Sequence, residues 1–377
     1  MWSWSFARIA GIELKIHATF LLVVVLGAVQ WRAFGVDGAL FGALLMLLTF
    51  GSVLLHELGH SLVALAFKIP VKDITLYPIG GVARLTARPR TPAQEFLVAL
   101  AGPAVNVLLV VVLGALGAWW FGSEALLEAM ANAYSQQPTL LTLTALLVSS
   151  NAALALFNMV PALPMDGGRV LRAVLSSVMG PARATRISAW IARVLAVGLL
   201  GVGVFFAPLL VITAIIVFIG AGDEVRQQQI AHVLDGIEAG DAINPYAPRL
   251  TPNTTLGEAM RVLTMTHWDA FAVEHSNRVV GVVTRKALLD AARREGAYGY
   301  VAGAMVRDVP SIRPNERLEA ARQLMMEKNV SYVAVVRDGM FLGLLTDLDL
   351  ALVADRLTAN RRTWGEKSSD ANNPARQ

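Results

Sequence analysis

The sequence predicts a polytopic α-helical membrane half, with about six transmembrane helices, followed by a smaller α/β half built as a tandem repeat. Three observations predict it. Hydrophobic residues make up 55 % of the 377 and charged residues only 16 %, against about 25 % charged in soluble globular chains. The longest apolar stretches all fall before about residue 222. From about 223 onward, polar sequence alternates short apolar runs with amphipathic ones. A mean hydropathy of +0.55 excludes a disordered chain and argues against an ordinary cytosolic enzyme. The net charge of +4 does not imply a nucleic-acid partner. With no cysteine, disulfides and thiolate ligands are excluded, so any metal must be held by histidine, carboxylate or carbonyl groups.

A bilayer core of about 30 Å takes about 20 helical residues to cross. Candidate spans lie at 17–34, 39–66, 94–121, 139–160 and in one long stretch at 187–222. Pro208 is a natural break in the last, which then makes two crossings and six in all. The N-terminus lacks the basic-then-apolar order of a cleavable signal peptide. Basic residues set the orientation. Arg8 and Lys15 precede the first span; Lys68, Lys72, Arg84, Arg88 and Arg90 lie between the second and third; Arg169, Arg172, Arg183 and Arg186 follow the fourth. The loop at 122–138 carries Glu124 and Glu128 but no lysine or arginine. Both termini and the polar half are therefore expected on the cytoplasmic side of the cell (inner) membrane.

The second span contains His56-Glu57-Leu58-Gly59-His60. Positions i and i+4 share a helix face, so two imidazoles can reach one metal, with Glu57 beside them as acid or base. A charged or ligating group in a membrane helix is costly unless it has a function or partners. Catalytic zinc takes three protein ligands and leaves one position open. His17, at the start of the first span, is one candidate for the third ligand. Asp166 is the better one: it follows Pro161 and Pro164, precedes Gly167-Gly168, and emerges from the fourth span on the same side as His56 and His60. Alternatively it caps a following helix at 169–178. Asn158, near the apolar end of that span, either donates to the oxyanion of a peptide under attack or bonds to a neighbouring helix. Asn106 is a weaker candidate, for which helix packing is preferred. The alternating run Ile74–Ile79 before Gly80-Gly81 reads as a strand or hairpin whose edge could align an extended substrate, or as a plain turn.

These motifs resemble the site-2 protease family of intramembrane metalloproteases. His56–His60, Gly80-Gly81, Ala101-Gly102-Pro103 with Asn106, and Asn158 with Pro161, Pro164 and Met165-Asp166-Gly167-Gly168 fall in the family's order over about residues 10–220. The family usually has leucine where this chain has Met165. The resemblance implies that His56, His60 and Asp166 bind one Zn2+, that Glu57 is the catalytic acid/base, and that Asn158 assists the tetrahedral intermediate. It implies cleavage of a transmembrane segment in a single-span membrane-protein substrate.

Residues 241–355 repeat with an offset of 62 and no gap: Pro252 maps to Pro314, Leu256 to Leu318, Val273 to Val335, Gly281 to Gly343 and Thr284 to Thr346. The units resemble a pair of cystathionine-β-synthase (CBS) domains. In that family, a threonine and an aspartate three positions later often hold the ribose of an adenine nucleotide. The second unit has Thr346 and Asp349, whereas Ala287 replaces the aspartate in the first. One ribose site, for ATP, ADP or AMP, is the most the resemblance implies; the alternative is a structural pair that mediates a homodimer. The expected organisation is a membrane metalloprotease domain at 1–222, a linker at 223–240, repeats at 241–298 and 299–355, and a disordered tail at 356–377. A CBS-gated membrane transporter or channel is the alternative function.

Overall fold

The computed structural model describes residues 3–78, 80–86, 89–132, 137–206, 208–234, 236–244, 247–266 and 268–353. The tail at 356–377 lies outside the described residues. The chain divides into two compact units, Met1–Arg226 and Gln227–Gln377.

The first unit opens with a hairpin, β1 (Ser3–Ile9) and β2 (Ile12–His17). In β2, the buried Ile12 and Leu14 alternate with Glu13 and Lys15, the period of a strand with one covered face. Ala10 and Gly11 both have positive φ, 50° and 83°, as a two-residue hairpin loop requires. Helices α1 (Phe20–Gln30) and α2 (Gly35–Ala66) carry the chain to β3 (Val71–Tyr77), which pairs parallel with β2 and antiparallel with β4 (Gly80–Leu85). The sheet order is β1-β2-β3-β4, so the hairpin expected near Ile74 is present and β4 is an edge. Ile12, Leu14, Val71 and Ile74 pack with Leu58 and Ala64 of α2.

Across this sheet, Asp73 is fully buried between Lys15 on β2, 2.8 Å away, and Arg84 on β4, whose Nε lies 2.6 Å away. Burial opposes its ionisation, but the hydrogen bonds from Arg84 and Lys15 outweigh it and hold the carboxyl below the ordinary aspartate value of 3.8. A lowered folded pKa stabilises above the unfolded value and is lost as pH falls through the folded one. Sheet protection from hydrogen exchange is therefore expected to hold above about pH 4 and to fall at lower pH. Asp73→Asn should open the sheet about tenfold more often at neutral pH, since such bonds contribute about 1.5 kcal/mol where one partner, Arg84, reaches water. It should also reduce the acid dependence, leaving the share of Glu13 on β2, which Lys15 and Arg8 likewise hold below the ordinary glutamate value.

The remaining helices of this unit are α3 (Pro92–Phe121), α4 (Ser123–Asn132), α5 (Leu140–Asn158), α6 (Asp166–Met179), α7 (Pro181–Phe206) and α8 (Pro208–Leu234), which runs past the unit's end at Arg226. Thr91 and Thr139 cap α3 and α5, each accepting the amide three residues on. Among the described residues, four helices are long and apolar enough to cross a membrane: Arg32–Ala66, Pro92–Phe121, Leu140–Asn158 and Pro181–Phe205. The long stretch at 187–222 divides at Pro208 as expected. The first expected span, 17–34, is shorter than its hydropathy implies. Its first residue, His17, ends β2, a 3-10 turn occupies Arg32–Phe34, and α1 has only 11 residues, about 16 Å.

In the second unit, the 62-residue offset reappears element by element. Strands β5 (Arg249–Leu250), β6 (Ala270–His275) and β7 (Arg278–Thr284) form one sheet with α9 (Leu256–Met265) and α10 (Arg285–Glu295); the short α11 (Val301–Ala304) follows. Strands β8 (Ser311–Ile312), β9 (Tyr332–Arg337) and β10 (Met340–Thr346) form the other, with α12 (Leu318–Lys328) and a helix at 347–353. Equivalent residues fill equivalent cores: Leu256 and Leu318, Ala259 and Ala321, Val273 and Val335, Leu288 and Leu350 are all buried. Each buried leucine contributes about 1.5–3 kcal/mol. Ala270, Ala272 and Val282 of the first sheet pack with Tyr332, Ala334 and Leu344 of the second. The segment read as a linker, 223–240, is helical as far as Leu234. Leu234 and Ala239 are buried in the core of the second repeat, because its sheet would otherwise leave apolar surface uncovered.

Candidate metal centre

His56 and His60 sit one turn apart on α2, and their rings meet edge to face with centroids 4.7 Å apart. Asp166 is the first residue of α6. The helix takes Met165 as its N-cap with no side-chain capping bond, so the Asp166 carboxylate is not spent as a cap. It turns instead to the imidazoles. Its Oδ2 lies 3.2 Å from His56 Nε2 and 3.1 Å from His60 Nε2, and the two Nε2 atoms are 3.1 Å apart. All three side chains are buried. Among the described residues they form a cluster able to hold a metal ion.

Small residues make this approach possible. Gly59 on α2 faces the Ala101 carbonyl and Val105 of α3, and a Cβ at Gly102 would collide with both imidazoles. Pro103 has no N–H for the Ala99 carbonyl one turn back in α3. In that turn the Val98 carbonyl accepts from His60 Nδ1 at 2.6 Å. The Gly102 amide lies 3.3 Å from the same nitrogen, and the shorter carbonyl contact places the hydrogen on Nδ1. His56 Nδ1 donates to Asn106 Oδ1 at 2.5 Å. At Gly167 and Gly168, a Cβ would strike the backbone of Met159–Leu163, so the two glycines seat α6 directly on the loop before it.

The donor set fits zinc. With both Nδ1 atoms protonated, both Nε2 atoms and the carboxylate oxygen present lone pairs to one another at 3.1–3.2 Å. Three acceptors cannot satisfy each other; a cation among them can. Ligands about 2.0–2.1 Å from a tetrahedral zinc stand about 3.3 Å apart, close to the observed spacing.

Glu57 follows His56 on α2, and its Cγ and Cδ are the nearest atoms a Cβ at Gly81 would meet, so the start of β4 passes beside it. Asn158 is half-buried at the last position of α5, seven residues and two turns beyond Asn151, on the face that reaches Asn106. His17, the other candidate ligand, bonds Thr19 at 2.7 Å and stacks on Tyr77, outside the cluster. The strand that it ends positions it there. Asn106 touches His56 rather than acting only in helix packing. Sequence reasoning missed Ser52 and Asn151, which continue the hydrogen bonds behind Asn106; Ser52, one turn before His56 on the same face, was the available signal.

In the second unit, Thr346 and Asp349 are buried and bonded to each other. The Thr346 N–H and hydroxyl donate to Asp349 Oδ2 at 2.8 and 2.6 Å, and the Asp349 N–H donates to Thr346 Oγ1 at 3.3 Å. This is a reciprocal cap for the helix at 347–353. Burial pushes the Asp349 carboxyl up, partly offset by the Thr346 bonds. Thr284 caps α10 alone, accepting from the Ala287 amide at 3.2 Å.

The chain matches Peptidase family M50 over residues 43–202 and the CBS domain over 239–294 and 301–355. It is 30 % identical over 346 residues to the zinc metalloprotease MJ0392 of Methanocaldococcus jannaschii, covering 91 % of this chain and 93 % of that protein. It is 28 % identical over 250 residues to the stage IV sporulation protein FB of Bacillus subtilis, covering 65 % of this chain and 78 % of the relative. The solved site-2 protease from Methanocaldococcus jannaschii is 33 % identical, with a TM-score of 0.43, and the match covers 59 % of this chain and 95 % of that one. The chain is a metalloprotease that belongs to peptidase family M50, the site-2 protease family, and carries two CBS domains.

Proposed function

We propose that this metalloprotease is an intramembrane zinc endopeptidase that cuts a transmembrane segment of a single-span membrane protein. The observation that carries the reading is the convergence of His56 Nε2, His60 Nε2 and Asp166 Oδ2 at 3.1–3.2 Å. These three residues would hold the ion. Zinc bound there supplies Lewis acidity, which polarises a scissile carbonyl. Glu57 takes the proton of the attacking water on its carboxylate and delivers it to the leaving amine nitrogen. Asn158 donates an N–H to the oxygen on which negative charge develops. The β4 edge beside Glu57 offers main-chain hydrogen bonds to an extended segment. The substrate must be locally unwound there, because an intact helix keeps its carbonyls in hydrogen bonds.

The loop charges support a reading with both termini and the CBS pair on the cytoplasmic side of the cell membrane. Incubation of the purified chain with single-span candidates in bilayers tests the reading. Mass spectrometry should locate the cut inside the apolar segment; cuts confined to soluble flanks would overturn it.

The CBS pair is read as the site for one adenine nucleotide; the alternative is a structural pair that binds none and mediates a homodimer. A ribose there displaces the Asp349 carboxylate from the Thr346 hydroxyl and amide. Calorimetric titration with ATP, ADP and AMP should show one site per chain, lost in Asp349→Ala. No heat with any of the three would remove nucleotide control.

A further inference from the structure

Asn151 lies mid-way along α5, fully buried, and belongs to none of the motifs above. Its Nδ2 donates to the Ser52 hydroxyl at 3.1 Å and to the Leu147 carbonyl at 2.9 Å. Its Oδ1 accepts from Asn106 Nδ2 at 2.8 Å. Asn106, also fully buried, turns its own Oδ1 to His56 Nδ1. Ser52 donates to the Leu48 carbonyl at 3.3 Å, one turn back along α2. A directed chain of donors thus leaves α2 at His56, crosses α3 and α5, and returns to α2 at Leu48.

The direction of this chain is enforced. A carboxamide rotated by half a turn exchanges its donors with its acceptor. For Asn151, that rotation aims Oδ1 at the Leu147 carbonyl, acceptor against acceptor, so a backbone group that cannot change role sets its sense. Asn151 then offers Asn106 only an acceptor. Asn106 answers with Nδ2, which leaves Oδ1 for His56. His56 must carry its hydrogen on Nδ1 and present Nε2 as a lone pair toward His60 and Asp166. A buried carboxamide left without this constraint would satisfy its N–H groups elsewhere and release the ring.

We infer that Asn151 is a positioning residue for the metal centre, acting through Asn106 to hold His56 in the one tautomer and orientation that can ligate. The inference rests on the reading of His56 as a zinc ligand. Partners that orient a ligating histidine are typically worth 10–100-fold in metal affinity.

The test is zinc affinity of the full-length chain in detergent, measured by competition with a chromogenic chelator, with thermal unfolding followed alongside. Wild type should retain zinc; if it does not, the ligand reading fails whatever Asn151 does. Asn151→Leu should weaken zinc by about 10–100-fold. Asn106→Asp presents an acceptor to His56 whichever way its carboxylate turns, but sets its other oxygen against Asn151 Oδ1, acceptor against acceptor. In that background, Asn151→Leu removes the opposed acceptor and should not weaken zinc further. An unchanged affinity in the wild-type background would overturn the inference, as would an equal loss in both backgrounds, which marks Asn151 as packing alone. Asn151→Ala gives the same comparison if leucine prevents folding.

Discussion

Glu57→Gln is expected to lower the rate of cleavage by about 10²–10⁴-fold, the share that a positioned acid/base supplies, while leaving zinc content unchanged. The substitution keeps the size and the helix position, and it leaves the His56, His60 and Asp166 side chains in place. What disappears is the capacity to accept a proton from water and return it to the amine. Gly81 leaves room for the side chain on the β4 side, where a Cβ would lie 2.5 Å from Glu57 Cγ. The glutamine therefore occupies the same space without the same chemistry. Cleavage of a single-span substrate and the zinc content of the same preparation check both halves of the expectation. Residual cleavage within tenfold of wild type would place the acid/base elsewhere.

The second large effect is expected at Asp166. Structural zinc held by four protein groups gains about 10–16 kcal/mol, so one ligand accounts for roughly 2.5–4 kcal/mol, or about 10²–10³-fold in affinity. Asp166→Ala should lose zinc by that factor and lose cleavage with it. Its carboxylate is not used as a cap of α6, so the helix should persist. Chelator competition and thermal unfolding together distinguish metal loss from unfolding. Retention of zinc at wild-type affinity would remove Asp166 from the ligand set and leave the two imidazoles without their anion.

The legible parts of this molecule are those written in local periodicity. The His56–His60 pair follows from the helical repeat, and Asp166 from its place between two prolines and two glycines. The CBS pair follows from an offset of 62 that no gap interrupts, and the structure reproduces it strand by strand from Arg249–Leu250 to Met340–Thr346. The β1–β2 hairpin was also within reach. Ile12-Glu13-Leu14-Lys15-Ile16-His17 alternates strictly, but the apolar run that begins at Ala18 masks it by continuing directly from His17 as one long hydrophobic stretch.

What stayed hidden depends on tertiary contacts. Asn151 is a single carboxamide in an apolar helix, and its meaning comes from Asn106, 45 residues away. Leu234 and Ala239 sit in polar sequence, and only the uncovered face of the second repeat explains their burial. Asp73 is polar and fully buried; its partners come from β2 and β4, strands that flank β3 only once the sheet has formed.

Metal analysis of the purified wild-type chain, combined with zinc K-edge absorption spectroscopy, tests the metal centre most directly. The account predicts one zinc per chain, bound by two imidazole nitrogens and a carboxylate oxygen, with that signature lost in Asp166→Ala. A catalytically active chain without stoichiometric zinc, or a zinc whose ligand shell lacks the two imidazoles, would contradict it.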